Sequence, residues 1–313
     1  MTSALLSRVA ESIFWIGRYI ERAEGTARIL DVIVHHTLEE RGADSPEAAA
    51  RLLAVMGLQA PDVPPDLWAV TEVLAHDPVN RSSIAGAIIA ARDNARAVRH
   101  VLPIEVWETI NATRVDLQSE WELAQRAGPS TYLTYVKSQI AAIVGLADTT
   151  MSRDETWLFF SLGRALERND VVARLLASLP LEELTESGLV TLLRSCGGYE
   201  PFLRLAHGVV QLEPVVDFLL RDRLFPRSAF ASLVTSEACL DQVGGPLNAW
   251  DEARGLVGLA RAELEFSAPG MVLHDLGHRL ERLQITCSDA SDAVSRRYFT
   301  HEAPTEWHRR ESW

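Results

Sequence analysis

Phe14-Trp15-Ile16-Gly17-Arg18-Tyr19-Ile20-Glu21-Arg22 returns far along the chain as Phe159-Phe160-Ser161-Leu162-Gly163-Arg164-Ala165-Leu166-Glu167-Arg168. Wound on a helix at about 100° per residue, Leu6, Val9, Ala10, Ile13, Phe14 and Ile20 share the Gly17 side, which is therefore the buried stripe. Glu21, Glu24 and Arg28 fall on that stripe, and Arg18 and Arg22 flank it. The second copy keeps the arrangement: Gly163 is followed at the same offsets by Glu167, Asp170 and Arg174, with Arg164 and Arg168 on the flank. Charges on a buried stripe are costly unless paired. Two helices with matching charged cores are therefore expected to meet face to face, glycine allowing close approach and the acids of one copy pairing with arginines of the other. A third, degenerate copy, Leu276-Gly277-His278-Arg279-Leu280-Glu281-Arg282, has Gln284 for the second acid and Ser288 for the distal arginine, and is expected to support the other two.

Outward from this phrase, nearly every segment shows period 3.6, and runs rich in Val, Ile, Thr and Tyr with period 2 are missing. The fold class is all-α, a multi-helix bundle of about ten helices with internally repeated Gly-Arg-x-x-Glu-Arg helices. Punctuation places a first helix from Leu5 to Glu40 and a short one after Ser45-Pro46. Others are expected from Asp66 to His76, Ser82 to Leu102, beyond Pro103 to Arg126, and Gly128-Pro129 to Thr150. Ser152-Arg153-Asp154-Glu155 reads as a capping box for the second copy, which runs to Pro180. Segments at Leu189 to Val210, Glu213 to Leu224, Pro226 to Gln242, Leu247 to Phe266 and Pro269 to Phe299 complete the body. No stretch resembles a linker between cores, so residues 1–300 read as one helical domain and 301–313 as a mobile tail.

A formal net charge of −13 argues against a nucleic-acid partner, which needs a basic face. The opening residues lack the apolar core of a signal peptide and no run approaches a membrane span, so a cytoplasmic protein without membrane contact is expected. Cys196, Cys239 and Cys287 form no metal or redox spacing and read as buried thiols.

The repeated phrase also supplies the chemistry worth weighing. As an ion network it comprises Arg18, Glu21, Arg22, Glu24 and Arg28 with Arg164, Glu167, Arg168, Asp170 and Arg174. As a catalytic centre it offers Glu21 or Glu167 as general base beside arginines that would hold a carboxylate or phosphate. As a metal centre it would need Glu21-x-x-Glu24 to face Glu167-x-x-Asp170, but the Glu-x-x-His pattern is absent and the arginines repel cations. No metal and no cofactor is assigned. Arg92, Arg96 and Arg99 share one helix face and form a candidate partner-binding surface. His274 and His278 have metal spacing but read as ordinary histidines, and the polar stretch Arg221 to Ser228 reads as local capping or a loop presenting an arginine. Walker, nucleophile-elbow and dinucleotide motifs are absent.

Leu6 to Glu11 with Trp15 to Glu24, Ala91-Arg92-Asp93-Asn94-Ala95-Arg96 and Leu219 to Ser228, in this order, resemble the bacterial alpha-E family, a helical domain named for a Glu-Arg motif. The motif falls on Glu21-Arg22 and Glu167-Arg168. The resemblance implies association with a circularly permuted ATP-grasp protein and a transglutaminase-like or amidohydrolase protein. It therefore implies an accessory role in making or modifying amide bonds, or an enzyme acting on a peptide or carboxylate. A homo-oligomer is a further expectation.

Overall fold

Twelve helices and no strand occupy the described residues of the computed structural model, which are 5–39, 49, 52–53, 67–179, 184–243, 251–267 and 273–299. They are α1 (Ser7–Glu39), α2 (Leu67–His76), α3 (Ile84–Ala97), α4 (Ile104–Ala127), α5 (Pro129–Thr150) and α6 (Glu155–Ala177). There follow α7 (Glu186–Ser195), α8 (Tyr199–Leu205), α9 (Leu212–Arg221), α10 (Ala229–Val243), α11 (Glu252–Glu265) and α12 (Leu276–Tyr298). The expectations for Ser45-Pro46, for the helix starts at Asp66, Leu247 and Pro269, and for the tail 301–313 lie outside the described residues.

Local chemistry explains most boundaries. Gly128 at φ 97 ends α4, and Pro129 opens α5 where a missing N–H costs nothing. The expected capping box at Ser152 does not form: Asp154 is the cap, accepting from the Thr156 and Trp157 N–H groups. Glu155 instead accepts the Leu5 N–H at 2.8 Å, tying the chain start to the second repeat. The helix expected from Ser82 to Leu102 ends at Ala97, because the chain must turn at Val98 to Leu102 before Pro103 can open α4. The segment from Leu189 to Val210 is two helices, broken where Gly197 takes a left-handed φ of 69.

The packing reveals a duplication larger than the repeated phrase. α1 is flanked by α3 and α5, with α4 closing a four-helix unit; α6 is flanked by α10 and α12, with α11 closing a second. Buried positions correspond throughout: Val70 and Leu74 of α2 with Val215 and Leu219 of α9, Ile84 and Ile88 of α3 with Ala229 and Leu233 of α10. Val106, Ile110 and Leu117 of α4 match Ala253, Val257 and Leu264 of α11, and Leu133, Val136 and Ile140 of α5 match Leu280, Leu283 and Cys287 of α12. The connections match too. Asp77 accepts from the Val79 and Asn80 N–H groups and Asp222 from those of Leu224 and Phe225, while Ser83 and Ser228 cap α3 and α10 in the same manner. α12 is thus the counterpart of α5 and packs on α6, supporting the crossing without repeating it. Its Gly277 has no atom within 4 Å of an added Cβ, and His278 and Glu281 are exposed, so the third Gly-Arg phrase lacks the geometry of the first two.

Candidate functional site: the Glu-Arg crossing of α1 and α6

The two glycines bring the helices into backbone contact. A Cβ on Gly17 would stand 2.2 Å from the Phe160 carbonyl oxygen, and one on Gly163 would stand 2.2 Å from that of Phe14. Each helix thus meets the other through the same residues, related by a local two-fold, and the matching offsets require α1 and α6 to run in the same direction.

One turn beyond the glycines the charges interlock. Glu167 accepts from Arg18 Nε at 2.7 Å and from Arg22 Nε and Nη2 at 2.6 and 2.9 Å. Reciprocally, Glu21 accepts from Arg168 Nε and Nη2 at 2.7 Å each and from Arg164 Nε at 3.2 Å. Two bidentate guanidinium forks therefore hold two carboxylates that are 0 % and 2 % exposed. Arg18 continues to the Ser291 hydroxyl and Arg168 to the Pro226 carbonyl. Asp170 pairs with Arg174 at 3.0 Å, and Glu24 with Arg28 at 2.8 Å.

The lattice has an asymmetric member from the polar stretch Arg221 to Ser228, outside the repeated phrase. Arg227, preceding α10, reaches Glu21 at 3.4 Å and also pairs with Glu24. Its positional counterpart before α3 is Ser82, so no repeated phrase could announce it; the polar run from Arg221 was the available signal. With it, seven arginines (Arg18, Arg22, Arg28, Arg164, Arg168, Arg174, Arg227) surround four acids (Glu21, Glu24, Glu167, Asp170). That positive surplus is hostile to a metal cation.

The surroundings fix the ionisation. Burial alone would raise the Glu167 pKa, but Arg18 and Arg22 outweigh it and bring it to about 2. Burial likewise opposes ionisation of Glu21, and Arg168, Arg164 and Arg227 outweigh it, holding this carboxyl far below its usual range. Asp170 shifts upward, because burial and the neighbouring Glu167 exceed the pull of Arg174. Arg164 shifts downward through burial, with Arg168 and Arg227 adding repulsion against Glu21.

All ten residues of the expected network lie at the crossing, but only Glu21 and Glu167 pair with arginines of the other copy, Glu24 and Asp170 pairing with Arg28 and Arg174 of their own helices. Each carboxylate faces guanidinium groups, and the facing carboxylate pairs a metal centre would need do not form. Among the described residues no group of three or more His, Cys, Asp or Glu could hold a metal ion. The hollow beside Glu21, Arg168, Arg227 and Cys196 has about 20 Å³, room for one water. All three cysteines are buried and unpaired, their thiols pushed up to about 12 chiefly by burial. His274 and His278 are exposed.

Arg92, Arg96 and Arg99 lie on α3 and in the turn after it, away from the lattice. Arg92 is half-buried, donating to Asn111 at 3.1 Å and lying over the Trp107 ring at 5.7 Å. Arg96 and Arg99 are exposed, and none of their side-chain donors has a partner among the described residues.

A family model described as Alpha-E, "a predicted alpha-helical domain with a conserved ER motif", matches residues 5–299. The chain belongs to the Alpha-E family. Two of its ER dipeptides, Glu21-Arg22 and Glu167-Arg168, have the side chains that form the two reciprocal forks of the crossing. Uncharacterised proteins of Mycobacterium bovis and of two strains of Mycobacterium tuberculosis are each 25% identical over 268 residues, covering 76% of this chain. The alignment spans only 30% of those relatives. No solved structure matches this Alpha-E chain. Among the described residues no helix is long and apolar enough to cross a membrane.

Proposed function

We propose that this Alpha-E protein is a non-catalytic helical subunit that docks onto an ATP-grasp ligase, or onto its peptide product, within a system that forms or modifies amide bonds. The observation that carries the non-catalytic reading is the closure of the Glu-Arg crossing. A general base works best with a pKa near the operating pH, whereas Glu167 lies at about 2 and Glu21 is held low as well. Both carboxylates are held by guanidinium donors, and the hollow beside Glu21 has room for one water. They are suited to holding two halves of a scaffold in one register.

The mycobacterial relatives, in which the matching region is 30% of a longer chain, fit a helical body that works next to other modules. The docking face is Arg96 and Arg99 with Arg92 at its edge, a local basic patch on a chain of net charge −13. Such a patch favours an acidic partner surface and speeds its encounter. The enzyme alternative, with Glu21 or Glu167 as base, would require one fork to open. Co-purification of the ATP-grasp ligase with the wild type tests the reading. Arg96→Glu/Arg99→Glu is expected to abolish co-purification without changing the helical circular dichroism. Absence of association with the wild type at low and moderate salt would overturn it.

A further inference from the structure

A cleft of about 250 Å³ opens between the C-terminal part of α1 and α7, lined by Asp31, Val32 and His35 on one side and by Ser187, Val190, Thr191 and Arg194 on the other. It lies outside the Glu-Arg lattice and shares no residue with the basic face of α3. Its two walls differ in hydrogen-bonding character.

The α1 wall offers acceptors. Lys137 Nζ holds Asp31 Oδ2 at 2.5 Å, fixing the carboxylate, while Asp31 Oδ1 is buried with no hydrogen-bond partner among the described residues. His35 Nδ1 lies 3.5 Å from that oxygen and closer, at 2.7 Å, to the Asp31 carbonyl. Donation from Nδ1 to that carbonyl leaves Nε2 of the neutral ring as an acceptor. The α7 wall offers donors. Arg194 is exposed, has no acceptor among the described residues, and is steadied by the Tyr199 ring 4.9 Å from its guanidinium carbon. Ser187 is exposed two turns earlier on α7 with its hydroxyl free among the described residues, whereas the Thr191 hydroxyl is already spent on the Ser187 carbonyl.

A simple anion would satisfy Arg194 and leave Asp31 Oδ1 unanswered. A simple cation would do the reverse. A ligand carrying both an ammonium and a carboxylate answers both walls, and the two valines supply an apolar surface for the carbon between them. The volume is just below the roughly 300 Å³ at which drug-sized sites begin, which sets the ligand at the scale of one or two residues. We propose that the α1/α7 cleft binds the zwitterionic backbone of a free amino acid or dipeptide, its ammonium on Asp31 and His35 and its carboxylate on Arg194 and Ser187. This inference does not rest on the docking reading and survives its failure.

Titration calorimetry of the full chain with the standard amino acids and their glycyl dipeptides, at millimolar concentration, tests it. At least one is expected to bind saturably. N-acetylation or C-amidation of that ligand should weaken binding about tenfold or more, the effect of removing one charged hydrogen-bonding end. Arg194→Gln and Asp31→Asn should each weaken it to a similar degree, with melting curves verifying that the variants are folded. Absence of binding across the panel, equal binding of the blocked forms, displacement by acetate or phosphate as readily as by the zwitterion, or undiminished binding by folded Arg194→Gln would each overturn it.

Discussion

Glu167 is wholly buried and receives three guanidinium hydrogen bonds, so its charge is tolerable only while those partners stay. Glu167→Gln keeps the shape but leaves Arg18 and Arg22 without a counter-charge. Chemical denaturation should show a loss of about 3–5 kcal/mol, the usual result of breaking a buried ion pair from one side. The acid limb of the stability profile follows from the same residue. Its folded pKa of about 2 lies below the ordinary 4.5, so its stabilising contribution is complete above 4.5 and drains away as pH falls toward 2. Asp170 has the opposite sign: its pKa is raised in the fold, so its charge opposes folding at neutral pH and protonation relieves that cost. Melting temperature measured against pH should therefore hold steady to about pH 5 and fall below it, the carboxylates of the forks outweighing Asp170. The pairing of these residues was legible in the sequence, because identical offsets on two apolar stripes leave few other partners. Arg227 was not, because the matching position in the first half is Ser82, and its contacts with Glu21 and Glu24 exist only once α10 is docked.

At the scale of the helix the glycines separate true repeats from a look-alike. A methyl group at Gly17 or Gly163 collides with backbone carbonyl oxygen at 2.2 Å, and a carbonyl in a packed helix cannot move aside as a flexible side chain would. Gly17→Ala and Gly163→Ala should each destabilise the protein by about 3 kcal/mol or more, and by similar amounts because the crossing is symmetric. Gly277→Ala meets nothing within 4 Å and should be neutral or stabilising by up to about 1 kcal/mol through helix propensity. Thermal melts of the three variants decide the matter. Sequence periodicity alone could not make this distinction, because Gly-x-x-x-Glu-Arg on α12 has the same spacing but occupies the helix end, where the glycine faces open space. Helix ends were read less well than helix existence. α3 ends at Ala97 with Val98 turning the chain toward Pro103, and Glu155 serves Leu5 rather than its own cap, both being features of the connections between helices.

Across the whole molecule, two four-helix units are joined by charges that each supplies to the other. The all-helical class was plain from periodicity, but the duplication of α2 to α5 as α9 to α12 was hidden. Its equivalent positions, such as Ile110 with Val257 or Leu133 with Leu280, share only burial, which many apolar residues satisfy. Since Glu21 finds its arginines in the second unit and Glu167 in the first, neither unit should fold alone. Residues 1–150 and 151–313 produced separately should show weak helical dichroism, and co-production should restore it in a one-to-one complex. The α1/α7 cleft was also invisible to sequence reading, because its walls come from segments with no shared motif. The claim that unites these scales is that the Glu-Arg crossing is a permanently ionised, closed core and not a catalytic centre. Carbon-13 NMR titration of the Glu21 and Glu167 side-chain carboxyls tests it most directly: both should remain ionised from about pH 8 down to about pH 4, whereas a midpoint near pH 6–7 for either, the range of a working general base, would contradict it.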